Sequence, residues 1–187
     1  MTSIIDYQDR ATCVLFGDGA GAALLEPAED GERGIIDFIL RSDGSGGQFL
    51  SMPGGGSLNP STSETVQKRM HYVHQDGKNV FRFAVRGMAD VSQEILDKHG
   101  LTAADLKLYI PHQANLRIIK AAVERMGLAE SQVAINIDRY ANTTAATIPI
   151  CLSEAVASKR VTKNDLLLLA SFGAGFTWGS LLLRWEI

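Results

Sequence analysis

The chain has 187 residues, 45% of them hydrophobic and 21% charged, the composition of an ordinary globular protein with one sizeable core and no need of a second domain. Its formal net charge of -3 excludes the broad basic footprint of a nucleic-acid binder, so any anionic partner must be met by a local patch. The two cysteines, Cys13 and Cys151, lie in apolar segments with neither a neighbouring cysteine nor a metal-ligand spacing, which excludes a disulfide framework.

Residues 1 to 10 lack a basic region followed by an apolar core, and no apolar run is long enough to span a bilayer. A soluble, reducing, cytoplasmic setting is expected, with no nucleic acid, no membrane insertion and no metal. Residues 12 to 16 form a continuous apolar run, Gly17 to Gly21 breaks it and Ala22 to Leu25 resumes it, predicting a tight strand-turn-strand hairpin. The glycines also suit a phosphate cradle, but no helical pattern follows to supply a dipole, so the structural reading is favoured. A buried strand arriving this early, with nothing before it to pair with, suggests a missing upstream element.

Residues 34 to 40 predict another strand, followed from 42 to 63 by a long glycine-rich and polar loop, either a lid or an interface arm. From Asn79 to His99 the apolar positions Phe81, Ala84, Val85, Met88, Val91 and Ile95 step by three and four, predicting a helix with one buried stripe that ends at Gly100. Thr102 to Asp105 has the pattern of a capping box opening a short turn, and residues 106 to 110 form a strand. A helix over 114 to 126 stops at Gly127, a strand spans 133 to 137, and a polar turn over 140 to 144 opens a helix from 145 to about 159, with Pro149 near its start. Strands over 166 to 170 and 178 to 185 flank a turn over 172 to 176. Strands alternating with helices and closing in a hairpin predict an α/β architecture whose central sheet is covered on both faces.

Three polar or glycine-rich turns each follow a predicted strand: His112 to Asn115, Asn142 to Thr144, and Gly173 to Gly175. Turns at corresponding strand ends can converge. His112 and Asn142 would then provide two neutral hydrogen-bond donors aimed at one oxygen, the requirement of an enolate or tetrahedral oxyanion. The simpler alternative is a helix cap at His112 and a turn at Asn142.

The runs Ile-Pro-His-Gln-Ala-Asn-Leu-Arg-Ile-Ile (110 to 119), Tyr-Ala-Asn-Thr-Thr-Ala-Ala (140 to 146) and Ser-Phe-Gly-Ala-Gly-Phe-Thr-Trp-Gly-Ser (171 to 180) resemble β-ketoacyl-acyl carrier protein synthase III, as does Thr-Cys-Val-Leu-Phe-Gly-Asp-Gly-Ala-Gly (12 to 21). The resemblance runs from about Asp9 to Ile187 and covers the carboxyl-terminal half of that family's protein. It implies a thiolase-like fold in which two halves, each a five-stranded mixed sheet with helices, stack in an αβαβα arrangement, usually as a homodimer. Residues 1 to 187 would form the second half domain, the amino-terminal nucleophile half being absent. In the family a first-half cysteine accepts an acyl group from acyl-CoA, and malonyl-acyl carrier protein is decarboxylated to a carbanion that attacks it, with no separate cofactor.

The family's catalytic histidine and asparagine match His112 and Asn142. By the same resemblance Gln113, Ala114, Asn115, Leu116 and Arg117 contact the carrier protein, Asn115 also lying near the pantetheine arm, with Arg82 and Arg125 extending the basic patch or serving as solvated charges. Glu124 stands where the family can carry a second basic residue. Gly77, Phe81, Ile118 and Phe172 match the acyl and pantetheine channel, Phe81 and Ile118 reading equally as core, and the backbone amide of Ala174 matches an oxyanion donor. Neither Cys13 nor Cys151 has the nucleophile's context, and both are expected to be inert core residues. The readings that follow are a catalytic half of a condensing synthase that starts fatty acid synthesis, a non-catalytic carrier-binding or assembly module, or half of a polyketide or quinolone condensing enzyme. The partners implied are acyl carrier protein, acyl-CoA, the amino-terminal half and a second copy.

Overall fold

The computed structural model describes residues 1–28 and 34–186. Two short segments, β2 (Leu50–Ser51) and β3 (His74–Gln75), pair with each other. The main sheet contains β1 (Gly34–Ser42), β4 (Leu108–Pro111), β5 (Leu166–Gly173) and β6 (Thr177–Arg184) in the order β1-β6-β5-β4. β4 runs parallel to β5, with Leu108 opposite Leu167 and Pro111 opposite Ala170. The β5–β6 hairpin and the β6–β1 pair are antiparallel, which makes the sheet mixed.

The central helix α2 (Gly77–Lys98) begins where the Asp76 carboxylate accepts the Asn79 N–H at 3.1 Å, and Gly100 follows its end at φ +63. Helix α3 (Leu116–Met126) is capped by the Asn115 carboxamide oxygen, which accepts the Arg117 N–H at 2.8 Å, and stops at Gly127 in the left-handed region. Both helices lie on one face of the sheet, where Met88, Val91 and Ile95 of α2 and Ile119 of α3 pack with Tyr109, Leu168, Phe172 and Leu182. On the other face, α5 (Thr147–Ala157) packs Cys151 and Ala155 against Leu108, Ile110 and Leu167. Pro149 occupies the first turn of α5, where its missing N–H costs no helical hydrogen bond.

Several expectations are corrected. The predicted hairpin over 12 to 25 does not form: residues 10 to 15 make turns, Phe16 forms one isolated bridge, and 17 to 28 have no regular structure. The run is apolar, but no described strand borders it, and without a ladder its backbone groups have no reason to extend as a strand. Instead of a strand over 133 to 137 there is a single bridge from Val133 to Tyr109. The chain then turns into the short helix α4 (Ile137–Tyr140), so the sheet has four strands among the described residues, not five. Coverage of the second face is incomplete: Phe38 and Leu40 on β1 are 58% and 69% exposed and line an open groove of about 820 Å³ with Ile148, Leu169 and Leu181.

The segment from 42 to 63 is also less loop-like than predicted. A 3-10 helix over Gly44–Phe49 and strand β2 occupy it before α1 (Ser63–Gln67) begins. Asp43 exchanges both backbone hydrogen bonds with Phe176, at 2.8 and 2.7 Å, which fastens this arm to the tip of the β5–β6 hairpin. A short 3-10 turn over Ala103–Asp105 carries the capping box the sequence predicts.

Candidate active site

β4 ends at Pro111, and the His112 N–H continues its pairing with β5 by donating to the Ala170 carbonyl at 2.8 Å. Alternation along the strand turns the imidazole toward α5, where Nδ1 lies 2.6 Å from the Thr147 hydroxyl. The residue is buried, and loss of hydration pushes its pKa down to about 4, so the ring is neutral at physiological pH.

Asn142 arrives from the opposite side. Its N–H donates to the Leu15 carbonyl at 3.0 Å and its own carbonyl accepts the Gly17 N–H at 3.0 Å, making the isolated parallel bridge at Phe16. The side-chain oxygen accepts the Thr144 N–H at 2.9 Å. Because a backbone N–H can only donate, that contact assigns the oxygen and leaves the carboxamide nitrogen as the atom available to the cavity. The preceding Ala141 has φ 59 and ψ -161, a region almost confined to glycine, and Thr144 is also at positive φ.

Both side chains face one cavity of about 850 Å³. Phe172 and Ala174, at the end of β5 and the hairpin tip, form one wall, and Gly77 and Phe81 at the start of α2 form another. Ala114, Asn115, Arg117 and Ile118 border the same space at the start of α3, the Arg117 guanidinium lying 5.1 Å from the centre of the Phe81 ring. Sequence positions 65 residues and more apart, from Gly77 to Asn142, are therefore brought together. Thr12, Leu15, Phe16 and Met88 line the cavity as well and were not singled out by sequence reasoning. For the first three, the apolar run at 12 to 16 was the available signal.

Gln113 overturns the expectation of a carrier contact, because it is fully buried. Its amide nitrogen donates to the Pro111 and Ala134 carbonyls at 2.8 and 3.1 Å, and its oxygen accepts the Asn136 N–H at 3.1 Å. It thus bridges the end of β4 to the segment that replaces a fifth strand. Leu116 is 40% exposed but does not line the cavity. Arg82 and Arg125 are exposed and also lie off the cavity wall: Arg82 sits 5.3 Å over the Phe83 ring, and Arg125 pairs with Asp90 at 2.6 Å.

Cys151 is buried as expected, and burial pushes its thiol up to about 12. Cys13 departs from the core expectation, being half-buried. Neither cysteine lines the cavity. Among the described residues no group of three or more His, Cys, Asp or Glu side chains is placed to share a metal ion, and no helix is long and apolar enough to cross a membrane.

A family model described as 3-oxoacyl-[acyl-carrier-protein (ACP)] synthase III C terminal matches residues 96–185, and one described as 3-oxoacyl-[acyl-carrier-protein (ACP)] synthase III matches residues 1–44. The β-ketoacyl-[acyl-carrier-protein] synthase III of Koribacter versatilis is 54% identical over 185 residues, covering 98% of this chain and 56% of that protein. Among solved structures, the 3-oxoacyl-[acyl-carrier-protein] synthase III of Aquifex aeolicus VF5 superposes with a TM-score of 0.87 at 39% identity, covering 98% of this chain and 54% of that one. The priming β-ketosynthase of the R1128 polyketide biosynthetic pathway also reaches a TM-score of 0.87, at 35% identity, over 100% of this chain and 55% of that one. The chain spans about half the length of the curated relatives it matches. With its mixed sheet, its helices on either face and these matches, it belongs to the 3-oxoacyl-[acyl-carrier-protein] synthase III family of thiolase-like α/β proteins, whose carboxyl-terminal half it resembles.

Proposed function

We propose that this chain supplies the donor-bearing half of a condensing active site, in which decarboxylation of malonyl-acyl carrier protein generates a carbanion that attacks an acyl group taken from acyl-CoA. The observation that carries this reading is the convergence of a neutral imidazole and a carboxamide nitrogen on one cavity. Decarboxylation moves negative charge onto the malonyl thioester oxygen, and fixed neutral donors stabilise that charge without having to reorganise. No separate cofactor enters the proposal.

The acyl-accepting cysteine belongs to an amino-terminal half, since Cys151 is sealed in the core and Cys13 lies off the cavity. The open apolar groove at Phe38 and Leu40 supports docking of such a half or, in its absence, of a second copy of this chain. Arg117, exposed at the cavity rim, is the residue of this chain proposed to guide the acidic carrier protein, with Arg82 and Arg125 further out. A cytoplasmic setting completes the proposal.

The test is reconstitution. Mixed with an amino-terminal half carrying the nucleophile, this chain is expected to restore condensation, and His112→Ala or Asn142→Ala to lower the rate by about 100- to 1000-fold each. Mass spectrometry of this chain alone with acyl-CoA is expected to find no stoichiometric adduct on Cys13 or Cys151. Carrier binding without condensation in any mixture would instead support an assembly module. The likeness to the R1128 priming ketosynthase supports a second reading, in which the same chemistry primes polyketide synthesis; a preference for a starter unit not used in fatty acid synthesis would select it.

A further inference from the structure

The contact between His112 and Thr147 spans 35 residues of sequence, and both partners are buried. A neutral imidazole can serve as a donor toward the cavity only if its proton is on Nε2, and the tautomer is set by what Nδ1 meets. Here Nδ1 meets a single hydroxyl at 2.6 Å. That hydroxyl has one hydrogen and two candidate acceptors: the imidazole nitrogen and the Thr144 carbonyl, 2.9 Å away.

Supply favours the imidazole. The 2.6 Å separation is a close contact in either direction, so the choice rests on what else each group can bond. The 2.9 Å contact to Thr144 lies within the ordinary hydroxyl range, but the Thr144 carbonyl already accepts the backbone N–H of Thr147. Losing the hydroxyl hydrogen therefore leaves it satisfied. Thr147 is 2% exposed, so solvent does not compete for the contact.

We infer that Thr147 is a positioning residue that donates its hydroxyl hydrogen to His112 Nδ1 and so presents the neutral imidazole to the cavity as the Nε2–H tautomer. The assignment deepens the proposed function and rests on it for its catalytic meaning. It makes His112 and Asn142 alike, each offering an N–H to the cavity while its other polar atom is held by the turn that opens α5. A chain with the opposite tautomer would present one donor and one acceptor there, an arrangement unsuited to an oxyanion.

The experiment reads the tautomer directly, without requiring turnover. In this chain produced with imidazole-15N histidine, long-range proton-nitrogen spectra near neutral pH, assigned with a His112→Asn control, are expected to show a protonated Nε2 and an unprotonated Nδ1. A protonated Nδ1 in the unsubstituted chain overturns the inference. Thr147→Val, close in shape but without the hydroxyl, is expected to lose the single-tautomer pattern, and Thr147→Ser to regain it; an unchanged pattern in the valine variant also overturns it. If the valine variant fails to fold, the unsubstituted and serine spectra decide. In the reconstituted synthase, condensation is expected to fall with valine and return with serine. Should the Nε2–H pattern be found while His112→Ala leaves condensation intact, the proposed function falls and the tautomer assignment stands.

Discussion

His112 and Asn142 look into the same cavity but are held by different kinds of structure. His112 extends a strand whose four residues are all buried and paired in register with β5, and its ring is backed by α5. Asn142 depends on two backbone hydrogen bonds to Leu15 and Gly17, in a segment whose Val14, Leu24 and Leu25 are 73%, 86% and 74% exposed. One side chain is placed by the sheet, the other by an isolated bridge and a strained turn. Sheet placement resists local change, whereas a bridge without a ladder holds only while both of its flanks stay in place.

The largest expected effect of that difference on stability comes from the sheet-held histidine. The His112 pKa of about 4 in the fold, against about 6.5 in the unfolded chain, means that the unfolded state binds a proton first as pH falls. Its contribution is therefore complete above about pH 6.5 and is lost between there and about pH 4, at most on the order of 3 kcal/mol. Urea unfolding followed from pH 7 down to pH 4 measures it, and His112→Gln is expected to flatten the dependence in this window. Asp37, held down to about 2 by Lys98 and His99, titrates below it.

A slightly smaller loss is expected at the bracket beside His112. Gln113→Ala removes three buried hydrogen bonds to backbone and is expected to lower stability by about 2 to 3 kcal/mol, read as a drop in urea midpoint. A purely docking role would leave that midpoint unmoved. On the bridge-held side the sign reverses. Ala141→Gly relieves a backbone conformation that disfavours a Cβ, and after the greater freedom of glycine in the unfolded chain is set against it, a net gain of about 1 kcal/mol is expected. An unchanged or lower midpoint would show that the turn before Asn142 is not where the strain resides.

The parts of this fold legible in the sequence are those whose signals are local. The apolar stripe from Phe81 to Ile95, the Asn115 cap and the Gly127 stop need only their neighbours to be read, and α2 and α3 begin and end within about two residues of their expected bounds. Residues 12 to 25 are not legible in the same way, because a strand is completed by a partner and apolar composition says nothing of whether one is present. The family resemblance places Gln113 on the docking surface, whereas alternation along the chain sends its side chain away from that of His112 and into the core. Thr147 carries no local mark at all. Its contact with His112 exists only after β4 and α5 have packed. The cavity walls at Gly77, Phe81, Ile118, Phe172 and Ala174 came from resemblance to a family, since nothing in their own spacing predicts that they meet.

Gly46 bears on how the cavity's outer wall can move. A Cβ built at this position would lie 2.0 Å from the Phe176 ring, and the backbones of Asp43 and Phe176 are hydrogen-bonded in both directions. The hairpin tip that carries Ala174 and the arm that begins at Asp43 are thus clasped like two links of a chain. Neither can swing without drawing the other along, so a ligand that displaces the tip also displaces β2 and its partner β3, at the threshold of α2. A bulky residue at 46 would press first on Phe176 and, through it, on the neighbouring rings of Phe49, Phe83 and Phe172. The bare backbone at Gly46 is therefore what lets the arm and the hairpin tip lie this close at the mouth of the cavity.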